Sequence, residues 1–213
     1  MNRGRRGFSL LAAMLILGRP ALAVDLMEEV EYRVIPQQPL ADPGRIEVIE
    51  FFYYGCQWCN ALQPHIDRWL RSKPADVVFR PQPAIRNTRW LALTKLFFVL
   101  EAQGELARLH ARVFSAYHRD AVNLEDESWM TAWLVEQGLD RDTVEAMLRS
   151  EAVMAKVEAA RAATYAYQVD TTPSMIVDGR YLTTTSLAGG VEMLMPVTEA
   201  LIALARDERP TAR

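Results

Sequence analysis

Cys56 and Cys59 are the only cysteines in the 213-residue chain, and two residues separate them. At this spacing the two sulfurs can bond to each other, so the pair can exchange disulfides with another molecule. A purely structural disulfide is one alternative, but closing so short a loop stabilises a fold by only about 2 kcal/mol, against about 3 kcal/mol for a 15-residue loop. A metal site is another, and it would need further ligands from His65, His110 and His118. We expect redox chemistry and no bound metal.

The residues on either side of the pair predict where the thiols lie. Residues 46–53 (IEVIEFFY) are rich in β-branched and aromatic side chains, which indicates a buried central strand. Tyr54 and Gly55 interrupt it, and apolar residues then recur three and four positions apart, which predicts a helix that begins at Cys56. The free N–H groups and the positive dipole end of a helix stabilise a thiolate there. Cys56 can therefore attack or be attacked, and Cys59, about one turn later, can resolve a mixed disulfide.

Other strand and helix patterns surround this unit. Further short strands are predicted at residues 32–35, 77–79 (ended by Pro81 and Pro83), 174–177 and 181–184, the last two joined by an Asp178-Gly179 turn, and a closing helix is predicted after Gly190. Strand 46–53, the cysteine helix and strand 77–79 form a parallel crossover unit, whereas the hairpin adds antiparallel strands. We predict an α/β fold with a mixed central sheet flanked by helices.

A long helical block interrupts the strand patterns. Helices are predicted throughout residues 88–167, with starts at Asn123 or Asp126 and at Asp140, and with stops at Gly104 and Gly138. Trp129 and Trp133 are four residues apart and are expected in the core of this block, whereas His110 and His118 are expected to face solvent. No flexible linker flanks the block, so we predict an inserted all-helical subdomain at 88–167 between two parts of one sheet domain, 24–87 and 168–213.

The first 23 residues have the layout of a secretory signal peptide. Arg3, Arg5 and Arg6 precede an apolar run at 8–17, and Ala21-Leu22-Ala23 matches the small-residue cleavage pattern. This run of ten residues, interrupted only by Ser9, is too short to span a bilayer, which needs about 20 apolar residues. Without this segment the chain has 20 basic and 27 acidic side chains, and the net charge moves from −3 to about −7, which argues against nucleic-acid binding. We predict export and a soluble mature protein.

Two segments carry a family resemblance. The run from Glu50 to Cys59 (EFFYYGCQWC) resembles the active-site strand and helix start of DsbA-type periplasmic thiol:disulfide oxidoreductases of the thioredoxin superfamily. The run from Thr172 to Tyr181 (TPSMIVDGRY) is similar to that family's cis-proline loop and hairpin, and the helical block matches its insertion. The resemblance covers nearly the whole mature chain and implies a thioredoxin-like sheet. Many members have Pro-His between the cysteines, where this chain has Gln57-Trp58, so the oxidising strength is left open.

The resemblance also implies roles for individual residues. Cys56 is the exposed nucleophile, Cys59 is its buried partner, and Glu50 is a buried acid that relays a proton through water to Cys59. Pro173 is implied to be cis and, with Thr172, to face the disulfide and pair with an extended substrate segment. The predicted substrate-binding residues are Gln57, Trp58, Thr172, Pro173 and Met175, with packing in the core as the alternative for Trp58 and Met175.

The function that follows is the introduction of disulfides into newly exported, unfolded, cysteine-containing proteins in the periplasm. The family resemblance implies a DsbB-like membrane quinone reductase as the partner that reoxidises the pair, and no cofactor or nucleic acid is expected. Three alternatives remain open on the residues alone. They are a periplasmic disulfide reductase or isomerase, a non-catalytic peptide-binding or chaperone module on the same fold, and a metal chaperone.

Overall fold

The computed structural model describes residues 24–209, and the predicted signal peptide at 1–23 lies outside them. The strands are β1 (Arg33–Val34), β2 (Ile46–Phe52), β3 (Val77–Pro83), β4 (Ser174–Val177) and β5 (Tyr181–Thr184). The helices are α1 (Gln57–Leu70), α2 (Leu91–Ala102), α3 (Leu106–His118), α4 (Glu127–Glu136), α5 (Arg141–Leu148), α6 (Glu151–Ala166) and α7 (Val191–Glu208), and a single 3₁₀ turn, Thr88–Trp90, precedes α2. None of the helices within 24–209 combines the length and the apolarity needed to cross a membrane.

The five strands form one mixed sheet in the order β1-β5-β4-β2-β3. β2 and β3 are parallel and α1 connects them, whereas the β2–β4, β4–β5 and β5–β1 pairs are antiparallel. β2 lies between β4 and β3, and all seven of its residues are buried, as its unbroken run of apolar and aromatic residues predicts. The predicted mixed sheet is confirmed, and the end of its inner strand β2 leads directly into the cysteine segment.

Helices α2 to α6 lie between β3 and β4 in the chain and have their own apolar core, which includes Leu96, Phe114 and Leu134. Phe52, at the end of β2, belongs to the same core, so the helical block packs directly against the sheet. A second core lies between the sheet, α1 and α7, and a third covers the other face of the sheet near Tyr167. The helical insertion therefore follows β3 in the chain but packs in space against the end of β2.

Three details of the elements differ from the prediction. Pro81 and Pro83 were expected to end β3, but the strand continues to Pro83. It can do so because β3 is an edge strand, where a residue without an N–H on the outward side costs no hydrogen bond to a neighbouring strand. β2 ends at Phe52, one residue earlier than predicted. Trp133 is buried as expected, but Trp129 is 60% exposed, because it lies in the first turn of α4 and faces away from the core.

Candidate active site

Cys56 is the N-cap residue of α1, directly after the loop that follows β2. Its backbone is extended (φ −86°, ψ 117°), and its sulfur accepts a hydrogen bond from the Cys59 N–H at 3.4 Å. Its S–H group donates to the Thr172 carbonyl oxygen at 3.2 Å. The side chain is only partly buried, so another molecule can reach this sulfur.

The two thiols differ sharply in their tendency to ionise. The pKa of Cys56 is lowered from 9.0 to about 6. The largest cause is a hydrogen bond from the Cys59 thiol; hydrogen bonds from the Thr172 side chain and from the N–H groups of Cys59 and Trp58 add to it, whereas burial opposes it. Cys59 is fully buried, and burial, followed by its hydrogen bond to the Cys56 sulfur, raises the pKa of the Cys59 thiol well above 9.0. Both cysteines are free thiols in this structure. At neutral pH the pair therefore presents one accessible thiolate backed by one buried thiol.

The loop before β4 brings a second segment to the sulfur. The Thr172–Pro173 peptide bond is cis, as the family resemblance implies, and both residues are buried. The Thr172 carbonyl faces Cys56, so the loop lies against the reactive thiol. Met175 does not belong to this surface. Its side chain is 0% exposed and packs in the core beneath α1 and α7, because it lies on the inward face of β4 opposite Glu50. The prediction that Met175 contacts substrate is therefore wrong.

Glu50 lies on β2 beneath α1 and is 1% exposed. Burial raises the pKa of its carboxyl from 4.5 to about 8, opposed by a hydrogen bond from Gln63. The Gln63 amide Nε2 lies 3.3 Å from Glu50 Oε1 and 3.4 Å from the Cys59 carbonyl oxygen. The sequence analysis did not single out Gln63. Its position, four residues after Cys59 on the buried face of α1, is the signal that could have found it.

The first two residues of α1 face solvent. Gln57 is exposed and Trp58 is 52% exposed, so the indole is not packed in the core. Both side chains lie between the cysteines in the chain and are free to contact a bound polypeptide. An exposed tryptophan beside a reactive sulfur offers a large apolar contact surface at little entropic cost.

The loop between β2 and Cys56 is held by the helical insertion, which the sequence analysis did not anticipate. The Tyr54 hydroxyl hydrogen bonds to His110 Nδ1 at 2.8 Å, and His118 Nε2 lies 2.7 Å from the Tyr54 carbonyl oxygen. Both histidines were predicted to face solvent. They face inward because this side of α3 also carries the buried Phe114 and packs on the Tyr54 ring.

A groove of about 660 Å³ lies beside this loop. The Tyr53 ring is stacked on Trp90 with centroids 4.3 Å apart, and the hydroxyls of Tyr53 and Tyr117 both donate to Glu125 Oε1, at 3.0 and 2.9 Å.

Within residues 24–209 there is no cluster of three or more His, Cys, Asp or Glu side chains placed to hold a metal ion.

The family comparison agrees with this geometry. A family model described as "DSBA-like thioredoxin domain" matches residues 76–195. The chain belongs to the DsbA-like thioredoxin family. Among its curated relatives, a thiol:disulfide interchange protein DsbA of Azotobacter vinelandii is 37% identical over 77% of each chain, and one of Pseudomonas aeruginosa is 33% identical over 96% of each.

Solved structures give the same result. The crystal structure of Pseudomonas aeruginosa DsbA superposes with a TM-score of 0.79 at 33% identity, covering 84% of this chain and 94% of that one. The DsbA-like sheet and its helical insertion are therefore confirmed as a thioredoxin-like fold. The chain is a thiol:disulfide oxidoreductase.

Proposed function

We propose that this DsbA-like chain oxidises cysteine pairs in unfolded, newly exported polypeptides, with Cys56 as the sulfur that is attacked. The observation that carries the proposal is the contrast between the two thiols. Cys56 is accessible and its pKa is lowered to about 6, whereas Cys59 is buried and its pKa is raised. A thiolate that is stable at neutral pH is a good leaving group, so a mixed disulfide at Cys56 is released readily.

The proposed reaction has two steps. A substrate thiolate attacks the Cys56 sulfur of the oxidised pair, which breaks the Cys56–Cys59 bond, forms a mixed disulfide and leaves Cys59 as a thiolate that takes up a proton. A second thiolate of the substrate then attacks the substrate sulfur of the mixed disulfide, which forms the new disulfide and releases the Cys56 thiolate. Two electrons pass from the substrate to the cysteine pair, which ends as a dithiol.

Glu50 is the proposed proton source for Cys59. Its carboxyl is protonated at neutral pH because burial raises its pKa to about 8, so it holds a proton near the buried Cys59 thiol. A proton passed from Glu50 through water would neutralise the Cys59 thiolate, which is costly to bury as an anion. Gln63 positions Glu50 by donating to its carboxyl oxygen Oε1.

The proposed substrate surface consists of Trp58, Gln57 and the Thr172–Pro173 loop. Trp58 and Gln57 are exposed, and the loop lies against Cys56. An extended substrate segment can pair its backbone with this loop, which would bind polypeptides with little regard to sequence. We place the reaction in the periplasm, on the predicted signal peptide at 1–23, with a DsbB-like membrane quinone reductase taking the two electrons from the reduced pair.

A trapping experiment tests the nucleophile directly. In a Cys59→Ala variant the Cys56 thiolate can attack a disulfide of an exported protein, which forms a mixed disulfide and releases one substrate thiolate. Cys59 is then absent and cannot break this mixed disulfide by attacking Cys56, so the variant expressed with its signal peptide should accumulate adducts between Cys56 and exported proteins. These adducts should run as high-mass bands without reductant and collapse to the free protein with it. A Cys56→Ser variant, which keeps Cys59, is the matched control and should trap none. Equal adducts in both variants, or none in Cys59→Ala, would show that Cys56 is not the sulfur that exchanges with substrate.

A further inference from the structure

Helix α3 of the insertion contacts Tyr54, in the loop that leads from β2 to Cys56. Tyr54 is fully buried between the end of β2 and Cys56, and its ring packs on Phe114 with centroids 4.9 Å apart. One turn to either side of Phe114 on α3 lie His110 and His118, which reach the hydroxyl and the carbonyl of the same tyrosine. A single residue of the loop is thus bound at both its side chain and its backbone.

The chemistry of the partners fixes the direction of the His118 hydrogen bond. A carbonyl oxygen only accepts, so the proton of the His118–Tyr54 contact is on His118 Nε2. At the other contact the Tyr54 hydroxyl keeps its proton and His110 is neutral, because burial raises the pKa of that tyrosine and lowers the pKa of His110 to about 4, so the two side chains share a neutral hydrogen bond. Within the described residues, His118 is the only hydrogen-bond donor to the Tyr54 carbonyl.

The position of this loop decides where the Cys56 sulfur lies. The Cys56 N–H donates to the Tyr53 carbonyl oxygen at 2.9 Å, so Cys56 follows any movement of the residues before it. The Cys56 sulfur in turn accepts a hydrogen bond from the Cys59 N–H at 3.4 Å, and hydrogen bonds weaken as their distance and angle depart from the preferred geometry. A small displacement of the loop would therefore weaken the N–H contacts that the sulfur has at the start of α1.

We propose that His118 is a positioning residue for Cys56: its Nε2–H group ties the Tyr54 carbonyl to α3 and so holds the Cys56 sulfur against the first N–H groups of α1. This inference rests on the proposed role of Cys56. It gives the helical insertion a part in the chemistry, because the insertion supplies the histidine that fixes the loop. His110 anchors the Tyr54 side chain, and His118 anchors the backbone that leads to the sulfur.

Two variants separate positioning from packing. His118→Phe keeps a ring on Phe114, whose centroid lies 6.2 Å from that of His118, but removes the donor. His118→Gln removes the ring and restores an N–H donor at a similar distance from the backbone. The control is His65→Phe, on α1, whose imidazole lies near Glu192 and does not touch the loop. The readout is the pH titration of thiolate ultraviolet absorbance in the reduced protein, together with the equilibrium against glutathione.

His118→Phe should raise the midpoint of the Cys56 titration by about half a pH unit or more, a roughly threefold loss of thiolate below the midpoint. Its reduced form should be disfavoured against glutathione by a similar factor. His118→Gln should return the titration midpoint to within about 0.3 pH unit of wild type, and the equilibrium constant with glutathione to within about twofold. His65→Phe should leave both quantities unchanged. If His118→Phe does not fold, His118→Asn, whose shorter amide does not reach the carbonyl, should show the same shift.

Unchanged midpoints in the Phe or Asn variants, with only a lower melting temperature, would overturn the proposal. So would a His118→Gln variant that shifts as far as His118→Phe, since the donor would then be irrelevant. Failure of the proposed function has a different signature. In that case the wild-type protein itself would titrate like an ordinary thiol, or its Cys59→Ala variant would trap no substrate, whatever residue stands at 118.

Discussion

Replacing Glu50 with glutamine is expected to stabilise the protein at neutral pH. Glu50 is 1% exposed, and burial raises its pKa from 4.5 to about 8, so folding at pH 7 forces the carboxyl to take up a proton. One pH unit of pKa difference corresponds to about 1.4 kcal/mol, and pH 7 lies about 2.5 units above the unfolded value. The carboxyl therefore costs on the order of 3 kcal/mol of folding free energy at pH 7.

The pH dependence of that cost has a definite sign. Below pH 4.5 the carboxyl is protonated in both the folded and the unfolded chain, so it costs nothing. The cost grows as the pH rises from 4.5 and levels off above about 8. Glutamine has nearly the same shape and no charge, and it can still accept the Gln63 hydrogen bond. Glu50→Gln should match wild type at pH 4 and exceed it by about 3 kcal/mol at pH 7.

Urea unfolding of the reduced proteins at pH 4, 5.5 and 7 measures this difference. Glu47→Gln is the matched control, because Glu47 is a buried carboxyl on the same strand that pairs with Arg80 at 2.9 Å, and its loss should destabilise the fold. The Glu50 variant should also transfer disulfides more slowly, since an amide has no proton to give Cys59. A stability difference that does not change with pH, or a less stable variant at pH 7, would refute the reasoning.

Three further predictions concern the nucleophile and its surroundings. Alkylation of Cys56 by iodoacetamide, followed by mass spectrometry, should be nearly constant from pH 8 to 7 and fall about tenfold from pH 7 to 5, because its pKa is about 6. Gly55→Ala should cost about 1–3 kcal/mol in urea unfolding, because a Cβ there would lie 2.5 Å from the Tyr53 ring. Phe114→Ala should cost about 3–5 kcal/mol in the same assay, since this fully buried ring packs on those of Phe52 and Tyr54.

Each of these has a clear contrary result. An alkylation rate that drops about eightfold between pH 8 and 7 would mean that Cys56 has the pKa of an ordinary thiol, about 8.5. A fully stable Gly55→Ala variant would show that the Tyr53 ring moves freely off its stack with Trp90. A Phe114→Ala loss below about 1 kcal/mol would mean that the insertion core relaxes around the cavity. Ala111→Gly, at an exposed position of α3, is the control for helix propensity.

Local signals in the sequence were enough to locate most elements and the two thiols. Asp126 and Asp140 cap α4 and α5, as predicted from their positions before apolar runs, and Gly104 and Gly138 adopt positive φ where helices were predicted to stop. The N-cap position of Cys56 also followed from the strand pattern that ends just before it. These features depend on a few neighbouring residues, which is why one sequence could predict them.

The features that the sequence could not predict depend on what packs against a side chain. α3 is amphipathic, but only the position of Tyr54 decides that His110 and His118 belong to its inner side. Met175 follows the cis proline, yet strand alternation and the α1–α7 layer bury it. The pKa of Glu50 likewise depends on how completely α1 covers β2, which no local pattern states.

The central claim is that the Cys56–Cys59 pair is an oxidant, and its equilibrium with glutathione tests it most directly. The fraction of oxidised protein, read from thiol alkylation across a series of glutathione ratios at pH 7, gives the reduction potential. Because the Cys56 thiolate favours the reduced form, we predict a potential less negative than about −200 mV. A potential as negative as that of thioredoxin, about −270 mV, would make the protein a reductase and contradict the account.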